Sequence, residues 1–240
     1  MLQPMAPHDP NAAQELAAPT NAAPELPGPT IDELLIADEP DRWAALGFAV
    51  ADRCAQLGTV RLRLAGRENG RGILGWSLRA IASEQLDGLP TTRSRSPLPA
   101  SAPAHPNGVL TIDHIVAMSP ALDRSVQALQ GAGLDLRRIR EQPTPAGAPR
   151  QAFFRLGAEI LEVVQEPGEA VEQGGGPARP AWLWGLALIA SDLDRTIDDL
   201  APHVSSARPA VQTGRRIATL RRSAGLAIPV ALMTPPPQRD

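Results

Sequence analysis

Two side chains in this sequence have the types and settings of a chemical site. His114 lies in Ile112-Asp-His-Ile, and Glu162 lies in Ile160-Leu-Glu-Val. Strand side chains alternate between faces. On that pattern His114 shares a face with Leu110, Ile112 and Val116, and Glu162 shares one with Ala158, Ile160 and Val164. Each polar group then stands in an apolar row. A buried carboxylate without a partner is costly or shifts its pKa. Something must compensate: a metal ion, the other member of the pair, or a group from elsewhere in the chain. Imidazole and carboxylate together suit a first-row divalent ion. A direct hydrogen bond between His114 and Glu162 would satisfy both without metal.

The elements that must position these residues belong to a repeat. The stretch from Ile112 to Arg124 has a counterpart from Trp184 to Arg195, each an apolar strand running into a helix that opens Leu-Asp-Arg. The first of these units reads β-α-β-β-β. Val109 to Ala117 is a strand, Ser119 caps a helix with Pro120 at its first position, and Leu122, Val126 and Leu129 form the buried stripe. Strands at 134–140, 151–156 and 158–165 follow, the last two paired about Gly157. Trp182 to Met233 repeats this course. Nearer the N-terminus, Ile31 to Ala37 matches Ile112 to Met118 without a gap, and Leu57-Gly-Thr parallels Leu156-Gly-Ala. The expected organisation is a disordered tail (1–30), a divergent unit (31–82), a Pro-rich linker (83–108), a unit (109–166), a Gly/Pro linker (167–181), a degenerate unit (182–234) and a tail (235–240).

A tandem β-α-β-β-β unit with His in its first strand and Glu in its last resembles the vicinal oxygen chelate superfamily. That group includes glyoxalase I, extradiol dioxygenases and bleomycin-resistance proteins. The resemblance implies an α+β, glyoxalase-like fold: tandem βαβββ modules whose curled mixed β-sheets enclose a cleft, with helices on the outside. It also implies a metal held by one ligand from the first and one from the last strand of each unit. In the third unit Gly185 replaces the His, and Val230 stands near the Glu position. In the first unit Glu33 falls at the His position, and Arg63, which has no lone pair to offer, at the Glu position. The ligand candidates are therefore His114, Glu162 and Glu33, for zinc, nickel, iron or manganese. Arg63 pairs with Glu162 or Glu33, holds an anionic ligand, or joins Arg61 on a solvated strand face. Trp182 and Trp184 share a face and line the cleft, or fill core.

Bulk properties narrow the function. A net charge of −3 and a pI near 5.8 argue against non-specific nucleic-acid binding. Cys54 alone excludes an internal disulfide framework and a Cys-based zinc site. The start has no basic or apolar signal region, and the longest apolar run, 181–190, is too short to cross a bilayer, so a soluble cytoplasmic protein is expected. The expected function is glyoxalase-like binding of a small organic molecule between paired modules, with a degenerate metal site. The alternative is a divalent-metal-dependent lyase, isomerase or dioxygenase using His114 and Glu162. A third reading makes the Pro-rich tail and linker a partner-binding device. An odd number of units leaves an edge or face for a second copy of the chain, and two middle units across a dimer axis would supply four ligands.

Overall fold

A computed structural model describes residues 28–99, 102–143 and 147–237. The expected tail at 1–30 lies almost wholly outside the described residues, as does the end of the tail after 237. The first unit is β1 (Thr30–Ile36), α1 (Pro40–Ala45), β2 (Val50–Ala51), β3 (Cys54–Leu57) and β4 (Val60–Leu64). Two more strands follow, β5 (Ile73–Arg79) and β6 (Thr91–Ser94). The middle unit is β7 (Val109–Ser119), α2 (Leu122–Gly131), β8 (Asp135–Arg140), β9 (Gln151–Leu156) and β10 (Glu159–Gln165). A short helix α3 (Gly168–Gln173) leads into the third unit: β11 (Trp182–Ala190), α4 (Leu193–Leu200), β12 (Arg208–Pro209), β13 (Arg216–Thr219) and β14 (Val230–Met233). Among the described residues no helix is long and apolar enough to cross a membrane.

The strands form two sheets, ordered β2-β3-β4-β1-β5-β6 and β12-β13-β14-β11-β7-β10-β9-β8. In each of these three units the first strand runs parallel to the last, and the last pairs antiparallel with the one before it. Tight turns make the final hairpins of the first two units. Gly58 and Gly157 sit in them at φ 59° and 70°, where a side chain is disfavoured. The middle and third units join through their first strands, β7 and β11, which are antiparallel.

The N-terminal sheet is the same assembly with two outer strands missing. Antiparallel to β1 runs β5, and parallel to β5 runs β6, as β11 and β14 do beside β7. Local packing repeats too. Trp76 N donates to Pro90 O and Leu186 N to Pro229 O, both at 3.0 Å. The strand at Ile73–Arg79, inside the span expected as one divergent unit, thus stands where the first strand of a fourth unit would, without that unit's helix and two middle strands. The span 83–108, expected as a linker, supplies that unit's last strand, β6.

The expected curl is not found. Neither sheet is strongly curled; both are open, with β2, β6, β8 and β12 as free edges. A coiled sheet needs outer strands long enough to keep pairing as it bends, and β2 and β12 have only two residues each. One core joins the two sheets and the apolar sides of three helices. Trp43 of α1, Leu122, Val126 and Leu129 of α2, and Leu193 of α4 are all buried in it. Fully burying side chains of this size contributes about 1.5–3 kcal/mol each. Asp38 ties the N-terminal unit to the third, its buried carboxylate accepting from Trp43 Nε1 at 3.1 Å and from Ala227 N at 2.8 Å.

Helix starts differ from the sequence reading in one case. Asp192 caps α4, accepting from Asp194 N and Arg195 N. Ser119 does not cap α2, whose first residue is Leu122; its hydroxyl accepts from Ala121 N and bonds to Ser125 Oγ.

Candidate functional site

Pairing register defines four equivalent positions on each sheet. His114 precedes Ile115, which lies opposite Leu161, with Glu162 next. In the third unit Leu186 lies opposite Val230, so Gly185 matches His114 and Ala231 matches Glu162. Val230, expected at the Glu position, is one residue off and points into the core. In the N-terminal sheet the same positions hold Glu33, Arg63, Gly75 and Thr92.

Each first strand carries an extra residue immediately before its site position. Asp32, Leu74, Asp113 and Trp184 are all skipped in the pairing of β1 with β5 and of β7 with β11. Such bulges break the two-residue alternation and re-aim side chains. Ile112 and Ile115 therefore both face the main core. His114 consequently does not share a face with Ile112, contrary to strict alternation. Asp113 and His114, neighbours in sequence, touch side chain to side chain.

That contact organises the site. His114 Nδ1 lies 2.7 Å from Asp113 Oδ2, and Arg215 Nη1 lies 2.7 Å from Asp113 Oδ1. An ionised carboxylate only accepts, so His114 Nδ1 carries the hydrogen and Nε2 faces Glu162 Oε2 at 3.4 Å. Gln151 Nε2 donates to the other Glu162 oxygen. Burial pushes the Glu162 carboxyl above its ordinary range, against the pull of His114 and Gln151. Burial also works against the charge on Asp113, but His114 and Arg215 outweigh it and hold that carboxyl low.

His114 and Glu162 open onto a cleft of about 860 Å³. Its walls come from both paired units: Arg138, Arg140 and Phe153 on one side, and Arg208, Ile217 and Met233 on the other. Neither Trp182 nor Trp184 is among its lining residues. Trp182 is 44% exposed and donates to Glu166 Oε1 at 3.0 Å, and Trp184 is the bulged residue of β11. Glu33 and Arg63 belong to the other sheet. There Arg63 Nη2 holds Glu33 Oε2 at 3.0 Å, with Arg61 Nε at 3.5 Å from the same oxygen. Glu33 lines a smaller pocket of about 370 Å³ with Trp76 and Thr92. It is therefore not brought to His114 and Glu162, because the middle unit pairs with the third rather than the first.

Only some of the positions at which the resemblance implies metal ligands carry donor side chains. Two of the four positions on the larger sheet, Gly185 and Ala231, offer no side-chain donor. Gly185 also has no room for one: a Cβ there would lie 2.6 Å from Pro229 O. Gly75 meets Pro90 O in the same way, at 2.8 Å. Among the described residues no group of three or more His, Cys, Asp or Glu side chains is placed to hold an ion.

Of the remaining histidines, His8 lies outside the described residues. His105, within the span expected as a Pro-rich linker, is buried: Nδ1 accepts from Ala49 N and Nε2 meets Gln56 O, both at 2.9 Å. Sequence reasoning misses Asp113 and Arg215 as site residues. The available signal for Asp113 is the Ile-Asp shared by the gap-free match of 31–37 with 112–118.

No family model matches the chain, and no curated protein matches it by sequence. Solved structures do resemble it. A fusion of a xylose isomerase-like TIM barrel with a 4-hydroxyphenylpyruvate dioxygenase matches at TM-score 0.58 and 12% identity, over 88% of this chain and 49% of that one. The chain has the fold of the vicinal oxygen chelate superfamily. Methylmalonyl-CoA epimerase from Mycobacterium tuberculosis aligns over 60% of this chain and 95% of its own, at 18% identity and TM-score 0.43. That of Streptomyces coelicolor aligns over 55% and 99%, at 19% and 0.43.

Proposed function

We propose that this protein binds a small organic molecule in the cleft between its middle and third units, without a resident divalent metal. The observation that carries the reading is the register. It sets His114 and Glu162 at a roomy cleft, and gives Gly185 and Ala231, which offer no side-chain donor, the equivalent positions of the third unit. The cleft volume falls in the usual range for small-molecule sites. His114 and Glu162 already have protein partners, so neither needs an ion to compensate its burial. Asp113 and Arg215 hold the imidazole in one tautomer and orientation.

A fragment screen by ligand-observed NMR tests this. Hits competing with one another and lost in Ala210→Trp, which places a large ring at the cleft rim, support the reading. Hits that survive that substitution contradict it.

A further inference from the structure

We propose that the cleft takes a small organic anion, its apolar body against Phe153 and Met233 and its carboxylate toward Arg140 and Arg208. This rests on the cleft being the binding site. The charge balance of the lining points to it. Arg138, Arg140 and Arg208 all face the cleft, against one carboxylate, Glu162, which His114 and Gln151 already engage. Among the described residues none of these three arginines is in a salt bridge, though Arg140 lies near enough to Glu162 to attract its charge.

The N-terminal sheet provides an internal comparison. Its arginines Arg61, Arg63 and Arg79 are all matched to Asp32 or Glu33. Those three arginines are paired within their own sheet, whereas Arg138, Arg140 and Arg208 at the cleft are in no salt bridge among the described residues. Arg138 is held over the Phe153 ring at 4.9 Å, fixing a cation on the cleft wall. A guanidinium fork binds a carboxylate through two parallel hydrogen bonds.

A second observation defines the ligand further. Gln151 is 8% exposed, and its Oε1 is buried without a hydrogen-bond partner. An unmatched buried acceptor calls for a donor. Gln151 lines the cleft, and turning its amide would present that oxygen to a ligand hydroxyl, so an anion with an apolar body and a hydroxyl, such as mandelate, is the fitting probe.

Mandelate and its neutral analogue mandelamide test this by isothermal titration calorimetry at low salt. Mandelate is expected to bind at least about tenfold tighter. The double substitution Arg140→Gln with Arg208→Gln should remove that preference, so that the two probes bind alike. Neither arginine is in a salt bridge among the described residues, so the fold should survive, as circular dichroism will show. Equal affinities, or a preference that persists in the double variant, would overturn the anion inference and leave the cleft reading standing. Binding of both probes unaffected by Ala210→Trp would overturn both.

Discussion

Replacing Gly185 by Ala places a methyl group 2.6 Å from Pro229 O and 3.3 Å from Pro229 Cβ. The carbonyl cannot simply retreat, because it accepts the 3.0 Å hydrogen bond from Leu186 N that joins β11 to the start of β14. Overpacking of this kind costs about 1–3 kcal/mol. Removing a glycine from the unfolded chain offsets about 0.4–1 kcal/mol. The expected net loss is about 1.3 kcal/mol at the middle of those ranges and at most about 2.6 kcal/mol, from the difference of the two terms. For a chain of this size the middle value lowers the thermal midpoint by about 3–5 °C. Gly131→Ala is the control: nothing lies within 4 Å of its added Cβ, at the end of α2, and its midpoint should hold or rise. Thermal unfolding followed by circular dichroism measures both. A Gly185→Ala midpoint equal to or above wild type would refute the claim that the third unit's ligand position is closed by packing.

Three further outcomes follow from the site and the core. Glu162 holds its proton more tightly when folded than unfolded, so its contribution to stability is full below pH 4.5 and is lost as pH rises through the folded value. Glu162→Gln, which does not titrate, should therefore stabilise the protein at pH 8 relative to wild type and lose that advantage near pH 4; denaturant midpoints at both pH values check it. His105 has the opposite sign: burial lowers its pKa, so its contribution is full above pH 6.5 and falls away as pH drops through the folded value. His105→Gln should flatten the stability profile on the acid side of pH 6.5, and an unchanged slope would count against the assignment. Arg215→Ala should cost about 3 kcal/mol or more in urea unfolding, because it strips a partner from a buried carboxylate.

The repeat is legible in sequence because two helices open on the same Leu-Asp-Arg after an apolar strand. The fourth unit is hidden, since it has no helix, and its last strand, β6, lies in a Pro- and Ser-rich span that reads as linker. His105 is misread for the same compositional reason, though its ring is fixed by two hydrogen bonds to distant backbone. Period-two alternation places His114 and Glu162 in strands but says nothing of Asp113, whose orientation depends on a bulge that pairing alone creates. Glu33 and Arg63 occupy equivalent positions of their own unit, yet they share no sheet with His114. Which units share a sheet is a long-range matter that local pattern does not carry. Ala231 is missed by one residue because the onset of β14 after Pro229 is set by its partner β11.

Metal content is the most direct test of the central claim, that this cleft binds its ligand with only half a donor set. The purified protein would be loaded in turn with zinc, nickel, iron and manganese, desalted, and analysed by elemental mass spectrometry beside His114→Ala. The account predicts well under one equivalent of any metal, with no difference between wild type and variant. One equivalent that disappears in His114→Ala would contradict it.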